Sequence, residues 1–392
     1  SKNQFSKPHI ERYEVFLCII IWLCRNNIEF ILYFLSIIFV IVFYFVSLCF
    51  MKLYIAILFL ILSPCLTLSA QVGGESVYQF LNISTSARQI ALGGEVLTLE
   101  DDINQPMWNP AVINNNLDTK LSVNYASYLA GINIGSISYA REISRRIGTV
   151  HGSITYLDYG SLIGADMNGV ETGSFKANDI AIAMGYALNL PNSNFYIGSN
   201  LKLISSTIGS FSSTGIAADI GLLYQSPYKP YSFALVARNM GTQIKSFNGT
   251  YEKIPFKIAF GGSYRLEYVP LKWYFTLDNL QQWKVAVANP SGQTIDLEGN
   301  ITQEQIGFVG NALRHFIIGA ELFPNRAINV RLGYNFRRSA ELKLQNARTF
   351  SGISFGFGIK MKRFKFNYAH SKFHAASNTG TFSLEIDLGN SK

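Results

Sequence analysis

Two short patterns in this sequence have the residue types of a catalytic or metal site. His370 and His374 stand four apart, the spacing that puts two imidazoles on one face of a helix for a metal ion. Gly352-Ile353-Ser354-Phe355-Gly356 has the Gly-x-Ser-x-Gly form of a hydrolase nucleophile elbow. Both patterns need a helix or a strained strand-to-helix turn. Here each lies in or beside a stretch that alternates large apolar and small residues, as a strand does. They are read as loop histidines and a strand serine. There is no Walker loop. No catalytic residue, metal ligand or cofactor is assigned, and the expectation is that the chain is not an enzyme.

The ends differ from the middle. All four cysteines (Cys18, Cys24, Cys49, Cys65) fall in the first 70 residues. Met51-Lys52, the apolar run Leu53 to Leu62 and the small residues Leu68-Ser69-Ala70 compose a signal peptide over 51–70, with Gln71 as the new N-terminus. A secreted chain starting there would have no cysteine, hence no disulfide and no thiolate chemistry. Residues 1–50 are either membrane anchors or mistranslated upstream sequence from AT-rich DNA, and the second reading is adopted. Net charge is +8 and the excess is diffuse. The densest knot is Lys360, Lys362, Arg363 and Lys365, too local to track a phosphate backbone, so no nucleic-acid partner is expected.

From Leu121 onward the dominant period is two. Ile180, Ile182, Met184, Tyr186, Leu188 and Leu190 share one parity; Ala181, Ala183, Gly185, Ala187 and Asn189 share the other. Such segments number 14: 119–128, 131–141, 147–157, 176–190, 194–207, 214–225, 231–241, 253–266, 271–282, 313–323, 326–337, 348–361, 363–371 and 378–388. A soluble sandwich and a membrane barrel both fit alternation. The non-apolar face is rich in Gly, Ala, Ser and Asn instead of Lys and Glu, which suits a crowded lumen. Connections also alternate: 142–146, 191–193, 226–230, 267–270, 324–325 and 362 are short, whereas 158–175, 208–213, 242–252, 283–312, 338–347 and 372–377 are mostly longer, with the very short 129–130 as the exception. That is the outer-membrane pattern. The expected fold is all-β, a transmembrane antiparallel β-barrel of about 14 strands over 119–392, in outer-membrane lipid with the long loops outside.

Charges of both signs are expected to point inward: Lys202, Asp219, Arg238, Lys257, Arg265, Lys272, Asp278, Glu321, Arg331, Lys360, Lys365, Glu385 and Asp387. They are read as a paired network filling the lumen rather than as a selectivity filter. Residues 71–118 lack sustained alternation. Thr85 to Leu92 reads as a short helix ended by Gly93, and Trp108-Asn109-Pro110-Ala111 as a turn into another. A barrel this wide needs filling, so 71–118 is read as a plug; a periplasmic tail is the alternative.

Gly73-Gly74, Tyr78, Phe80-Leu81-Asn82, Ser86-Ala87-Arg88 and Ala91-Leu92-Gly93-Gly94, with Trp108-Asn109-Pro110-Ala111, resemble the start of the PorV/PorQ branch of FadL-like barrels of Bacteroidetes. The motif residues are Ser86, Ala87, Arg88, Gly93, Gly94, Trp108, Asn109 and Pro110. The resemblance implies a FadL-like barrel of the type IX secretion system, beside PorU and PorV, that anchors a PorZ-like surface partner. The candidate partner loop, 283–312, carries Trp283, Val285, Val287, Ile295 and Ile301. The competing expectation is a channel for hydrophobic compounds, because a fold does not fix a function.

Overall fold

The computed structural model describes residues 76–128, 131–144, 147–287, 294–295, 301–302, 306–343, 350–374 and 377–389. The leader, the signal peptide, Gly73-Gly74 and Leu129-Ala130 lie outside the described residues. The strands are β1 (Lys120–Ser127), β2 (Asn133–Ser144), β3 (Gly148–Ala165), β4 (Glu171–Asn189), β5 (Phe195–Ile208), β6 (Phe211–Gln225), β7 (Tyr231–Lys245), β8 (Lys257–Arg265), β9 (Leu271–Leu277), β10 (Thr294–Ile295), β11 (Ile301–Thr302), β12 (Phe316–Leu322), β13 (Ile328–Asn335), β14 (Ile353–Met361), β15 (Phe364–His374) and β16 (Ser377–Asp387). All but β10 and β11 form one closed antiparallel barrel of 14 strands, each paired with its sequence neighbour and β1 closing on β16. The two-residue strands β10 and β11 pair with each other inside the β9–β12 connection.

The alternation sorts the side chains. On β1, Ser122, Asn124 and Ala126 are buried while Val123 and Tyr125 are exposed; on β5, Leu201 and Leu203 are 63% and 59% exposed while Asn200 and Lys202 are buried. Apolar groups outside and polar groups inside are the reverse of a soluble barrel and match a wall standing in hydrocarbon. Closure leaves no strand edge unpaired within the wall, as lipid requires. The barrel is transmembrane, and its crossings are made by strands.

Several expected boundaries move. The expected loop 158–175 is mostly strand: β3 and β4 run on as a two-stranded ribbon, with Leu162 opposite Phe175 and Ala165 opposite Glu171, turning only at 166–170. Above the wall no lipid imposes an apolar alternation, so the period vanishes although the ladder continues. On the opposite side the strands are shorter than expected. β9 and β12 have 7 residues each, and the expected strand ends 278–282 and 313–315 belong to the connection between them. At the first hairpin Tyr128 N donates to Ile132 O at 2.8 Å, with Gly131 at φ +81° in the turn.

Residues 76–118 fold inside the barrel. A 3-10 turn (Gln79–Asn82), an α-helix (Ala87–Ala91) and three further 3-10 turns (Gln105–Met107, Pro110–Val112, Asn115–Leu117) follow one another. Phe80, Ile90, Leu92, Leu97, Leu99, Ile103 and Leu117 are all essentially inaccessible. Gln89 organises the segment: it donates to Val96 O and accepts from Val96 N, both at 2.8 Å. Its partner Gln105 donates to Val96 O at 2.7 Å.

Candidate functional site

The lumen is where the sequence puts its charge, and there the plug meets the wall. Glu321 on β12 is fully buried and accepts from three donors. Arg88 Nη2 of the plug lies at 2.8 Å, Arg331 Nε of β13 at 2.8 Å and Tyr274 Oη of β9 at 3.0 Å. Arg331 Nη1 also donates to Asn367 Oδ1 at 2.9 Å, and Arg88 Nη1 lies 2.9 Å from Asp101. Burial alone would lower the Arg88 pKa, but Asp101 and Glu321 together hold it well above its ordinary value.

A second cluster surrounds plug residue Glu95. It pairs with Lys257 of β8 and lies 3.7 Å from Arg238 of β7; Lys257 also reaches Asp278 at 3.3 Å. Arg238 stacks its guanidinium over the Trp108 ring, 3.9 Å from the centroid, and donates to Leu81 O at 2.9 Å. A third cluster joins Lys202 to Asp219 at 2.7 Å, while the neighbouring Asn200 donates to Pro106 O of the plug at 2.7 Å. Lys365 lies 3.8 Å from Glu385 and 3.9 Å from Asp101. His151, buried on β3, places Nε2 3.0 Å from Ile103 O, where it must donate because a carbonyl only accepts.

Of the expected inward charges, Lys202, Asp219, Arg238, Lys257, Asp278, Glu321, Arg331, Lys365 and Glu385 enter these clusters. Lys272 sits half-buried with Nζ 5.2 Å from the Tyr274 ring. Arg265, Lys360 and Asp387 do not belong to the lumen: they stand exposed at strand ends, where the pleat no longer encloses them. The sequence reading missed that the partners come from the plug. Arg88, Glu95 and Asp101 were unassigned as counter-ions, and the only signal for Arg88 was its place in the motif.

The motif residues hold the plug together and seat it. Ser86 begins the Ala87–Ala91 helix in extended conformation, and Ala87 N donates to Ser383 Oγ at 2.8 Å. Gly93 and Gly94 end the helix at φ +107° and +105°, with Gly94 N donating to Gln89 O at 2.9 Å. Asn109 caps the Pro110–Val112 turn through Ala111 N at 3.0 Å and donates to Leu97 O at 2.8 Å. Two wall glycines take the plug backbone directly. A Cβ on Gly198 would fall 2.4 Å from Pro110 C, and one on Gly333 would fall 2.1 Å from Gly93 N. Neither neighbour is a flexible tip, so neither can yield cheaply. Gly333→Val should therefore unseat the Ala87–Gly94 segment while leaving the barrel closed. Limited proteolysis in detergent should cut this variant in the plug and spare the parent; equal resistance of both would refute the seat.

The two short patterns fall elsewhere. Ser354 faces the lumen on β14 and contacts Ala91 O at 3.4 Å, in a continuous strand. His370 packs its ring against Phe355 of β14 at 5.1 Å. His374 is exposed at the end of β15, roughly 13 Å further along the strand at about 3.3 Å per residue. The pair is not brought together. Among the partner-loop residues, Trp283 is covered by Phe308 at 4.8 Å and His315 at 5.6 Å, Val285 is half-buried, Val287 is exposed, and Ile295 pairs with Ile301 between β10 and β11.

Between plug and wall lies a small cavity, about 30 Å³, lined by Phe80, Leu81, Ile83, Trp108, Lys202 and Arg238 among others. Since one water needs roughly 10–15 Å³ by this measure, that is room for about two waters.

No protein-family model matches the chain, and no curated protein matches it. Solved structures do. The toluene transporter TbuX of Ralstonia pickettii is 12% identical, covering 80% of this chain and 100% of its own, with a TM-score of 0.47. The TodX monoaromatic hydrocarbon channel, as its deltaS2 mutant, is 12% identical over 76% of this chain and 96% of its own, at 0.45. A FadL homologue of Pseudomonas aeruginosa is 10% identical over 78% and 98%, at 0.43. These are likenesses to outer-membrane barrels and carry nothing about cargo.

Proposed function

We propose that this chain is a sealed outer-membrane barrel that serves as an anchor, holding a surface protein by its rim while its lumen carries no traffic. The observation behind it is the plug inside the barrel, tied to the wall by buried ion pairs, with room for only about two waters in the cavity beside Trp108. The rim with the longer connections, opposite the short turns, is taken as the outer one. Above it stands the β3–β4 ribbon, whose flanks beyond Asp158 and before Ala177 pair, among the described residues, with no further strand and whose Ile163, Met167 and Val170 are exposed. Open strand edges of this kind accept an extended segment of another chain. The resemblance of the plug motif to the PorV/PorQ branch gives the partner as a PorZ-like protein of the type IX attachment complex, with PorU and PorV nearby.

The test is co-purification from native outer membranes. Replacing 160–175 with a two-residue turn should release the surface partner while the barrel keeps its heat-modifiable mobility. Retention of the partner would overturn this docking site, and absence of any type IX component in the parent pull-down would overturn the anchoring reading.

A second reading, a channel for hydrophobic compounds, has one observation of its own. The cavity wall is largely apolar where Phe80, Leu81, Ile83 and Trp108 meet. It is also the reading nearer to the hydrocarbon channels named above. It requires that space to enlarge around a cargo. Toluene uptake into vesicles above the protein-free rate would favour it; uptake at that rate would favour the sealed anchor.

A further inference from the structure

The barrel wall is uneven in height. β3 and β4 have 18 and 19 residues, whereas their distant counterparts β9 and β12, paired to each other, have 7 each. Two more rungs, Asp278 N to His315 O at 2.9 Å and Phe323 N to Pro270 O at 2.7 Å, extend that pair at its two ends. The nine residues 270–278 rise roughly 30 Å along the strand, which at a tilt near 40° is about 23 Å of vertical wall. The apolar band of such barrels is about 25 Å tall. The β9–β12 wall is short of that band by about 2 Å on the same reckoning.

The connection above this low wall has an apolar exterior. Leu280 is 39% exposed, Leu313 43%, Phe308 62% and Val309 68%. Phe308, Val309 and Leu313 belong to one short helix, Phe308–Leu313, which ends three residues before Phe316, the first outward residue of β12. Leu313 is exposed like Leu322, Ile318 and Phe316 of the outward column, and the two polar residues between it and Phe316, Arg314 and His315, are buried. Six helical residues rise about 9 Å, enough to close the gap.

The polar groups of the same segment turn inward upon each other. Asn311 Oδ1 accepts from Val285 N at 3.2 Å and Ala286 N at 3.0 Å, and its Nδ2 donates to Trp283 O. His315 Nε2 lies 3.1 Å from the same Trp283 O, and Arg314 Nη1 donates to Val287 O at 2.7 Å. A surface loop in water has no need to satisfy its backbone with buried side chains. A segment in hydrocarbon must.

We propose that 283–287 and the helix Phe308–Leu313 form a membrane-immersed wedge. It presents Phe308, Val309 and Leu313 to lipid acyl chains and completes the apolar belt where the wall is low. Lys284 is exposed, and a lysine stem is long enough to carry its ammonium to the headgroup level. The wedge rests on the transmembrane fold and not on the anchoring reading, and it removes this segment from the surfaces offered to a protein partner.

The experiment is site-directed spin labelling of the purified full chain in phosphatidylcholine vesicles of 16- to 18-carbon chains, with Cys18, Cys24, Cys49 and Cys65 replaced by serine. Labels go on Val309→Cys, on Ile318→Cys in the lipid-facing wall and on Met167→Cys at the ribbon tip. Heat-modifiable mobility confirms that each variant is folded. The label at 309 should resemble that at 318, with oxygen severalfold more accessible than a nickel chelate, and the opposite preference at 167. In bilayers of 12-carbon lipids the 309 label alone should shift toward water. A label at 309 that behaves like 167 in the thicker bilayer, or that is shielded from both reagents, would overturn the wedge.

Discussion

Deleting residues 76–118 should turn a silent barrel into an open pore. In planar bilayers the parent chain is expected to pass no discrete current, and the deletion to open in steps. Fourteen strands enclose more space than their own inward side chains fill; barrels of 8 strands are packed solid, whereas those of 16 to 18 carry a water channel. In this chain the difference is made up by the plug. Its removal leaves a lining of Ser122, Asn124, Ser136, Ser138, Ser153 and Thr155, small polar groups that water solvates readily. The wall does not need the plug for its own hydrogen bonds, since each strand is laddered to two neighbours. The cost falls instead on Glu321, Lys257 and Arg238, which lose plug partners but gain water. A folded, heat-modifiable deletion that stays silent would show that something other than this segment seals the lumen.

How much of this was legible in the sequence follows from which forces act locally. The wall was legible because lipid and lumen impose opposite demands on alternate residues, and that demand writes a period of two along every crossing. The count of 14 strands came from it directly. Where lipid ends, so does the signal. The β3–β4 ribbon carries Gly160, Gly164, Gly169 and Gly173 and reads as loop, yet its backbone pairs as far as Ala165 and Glu171. The error runs the other way at β9 and β12: Leu280 and Leu313 continue an apolar pattern, and only the helix and the turn after Asp278 show that the strand has ended.

The lumen was half legible. Parity marks which wall charges face inward, but their partners depend on register and on a segment without periodicity. Arg88 and Glu321 stand 233 residues apart, and nothing local couples them. The glycine seats were hidden for a related reason. Gly198 and Gly333 resemble the other small inward residues until the plug backbone is placed against them.

Glu321→Ala should be the most damaging single substitution in the lumen. Glu321 is inaccessible to water and accepts from Arg88, Arg331 and Tyr274 at once. Alanine would leave two guanidinium groups facing each other with no shared anion. Arg88 would keep only Asp101, which is 58% exposed, and Arg331 only the neutral Asn367. Stranding a buried charge in this way costs about 3–5 kcal/mol. The loss divides between wall and plug, because Arg88 belongs to the plug and Arg331 to the barrel. A lower midpoint of thermal unfolding and intermittent pore opening are therefore expected together. Glu321→Gln, which keeps an acceptor but not the charge, should lie between parent and alanine. Adding Arg331→Met to Glu321→Ala should recover part of the loss, since replacing both members of a buried pair with apolar groups is far less costly than removing one. If Glu321→Ala unfolds at the parental temperature and stays electrically silent, the Glu321 cluster does not hold the plug, and its retention must come from the Glu95 cluster and the backbone seats at Gly198 and Gly333.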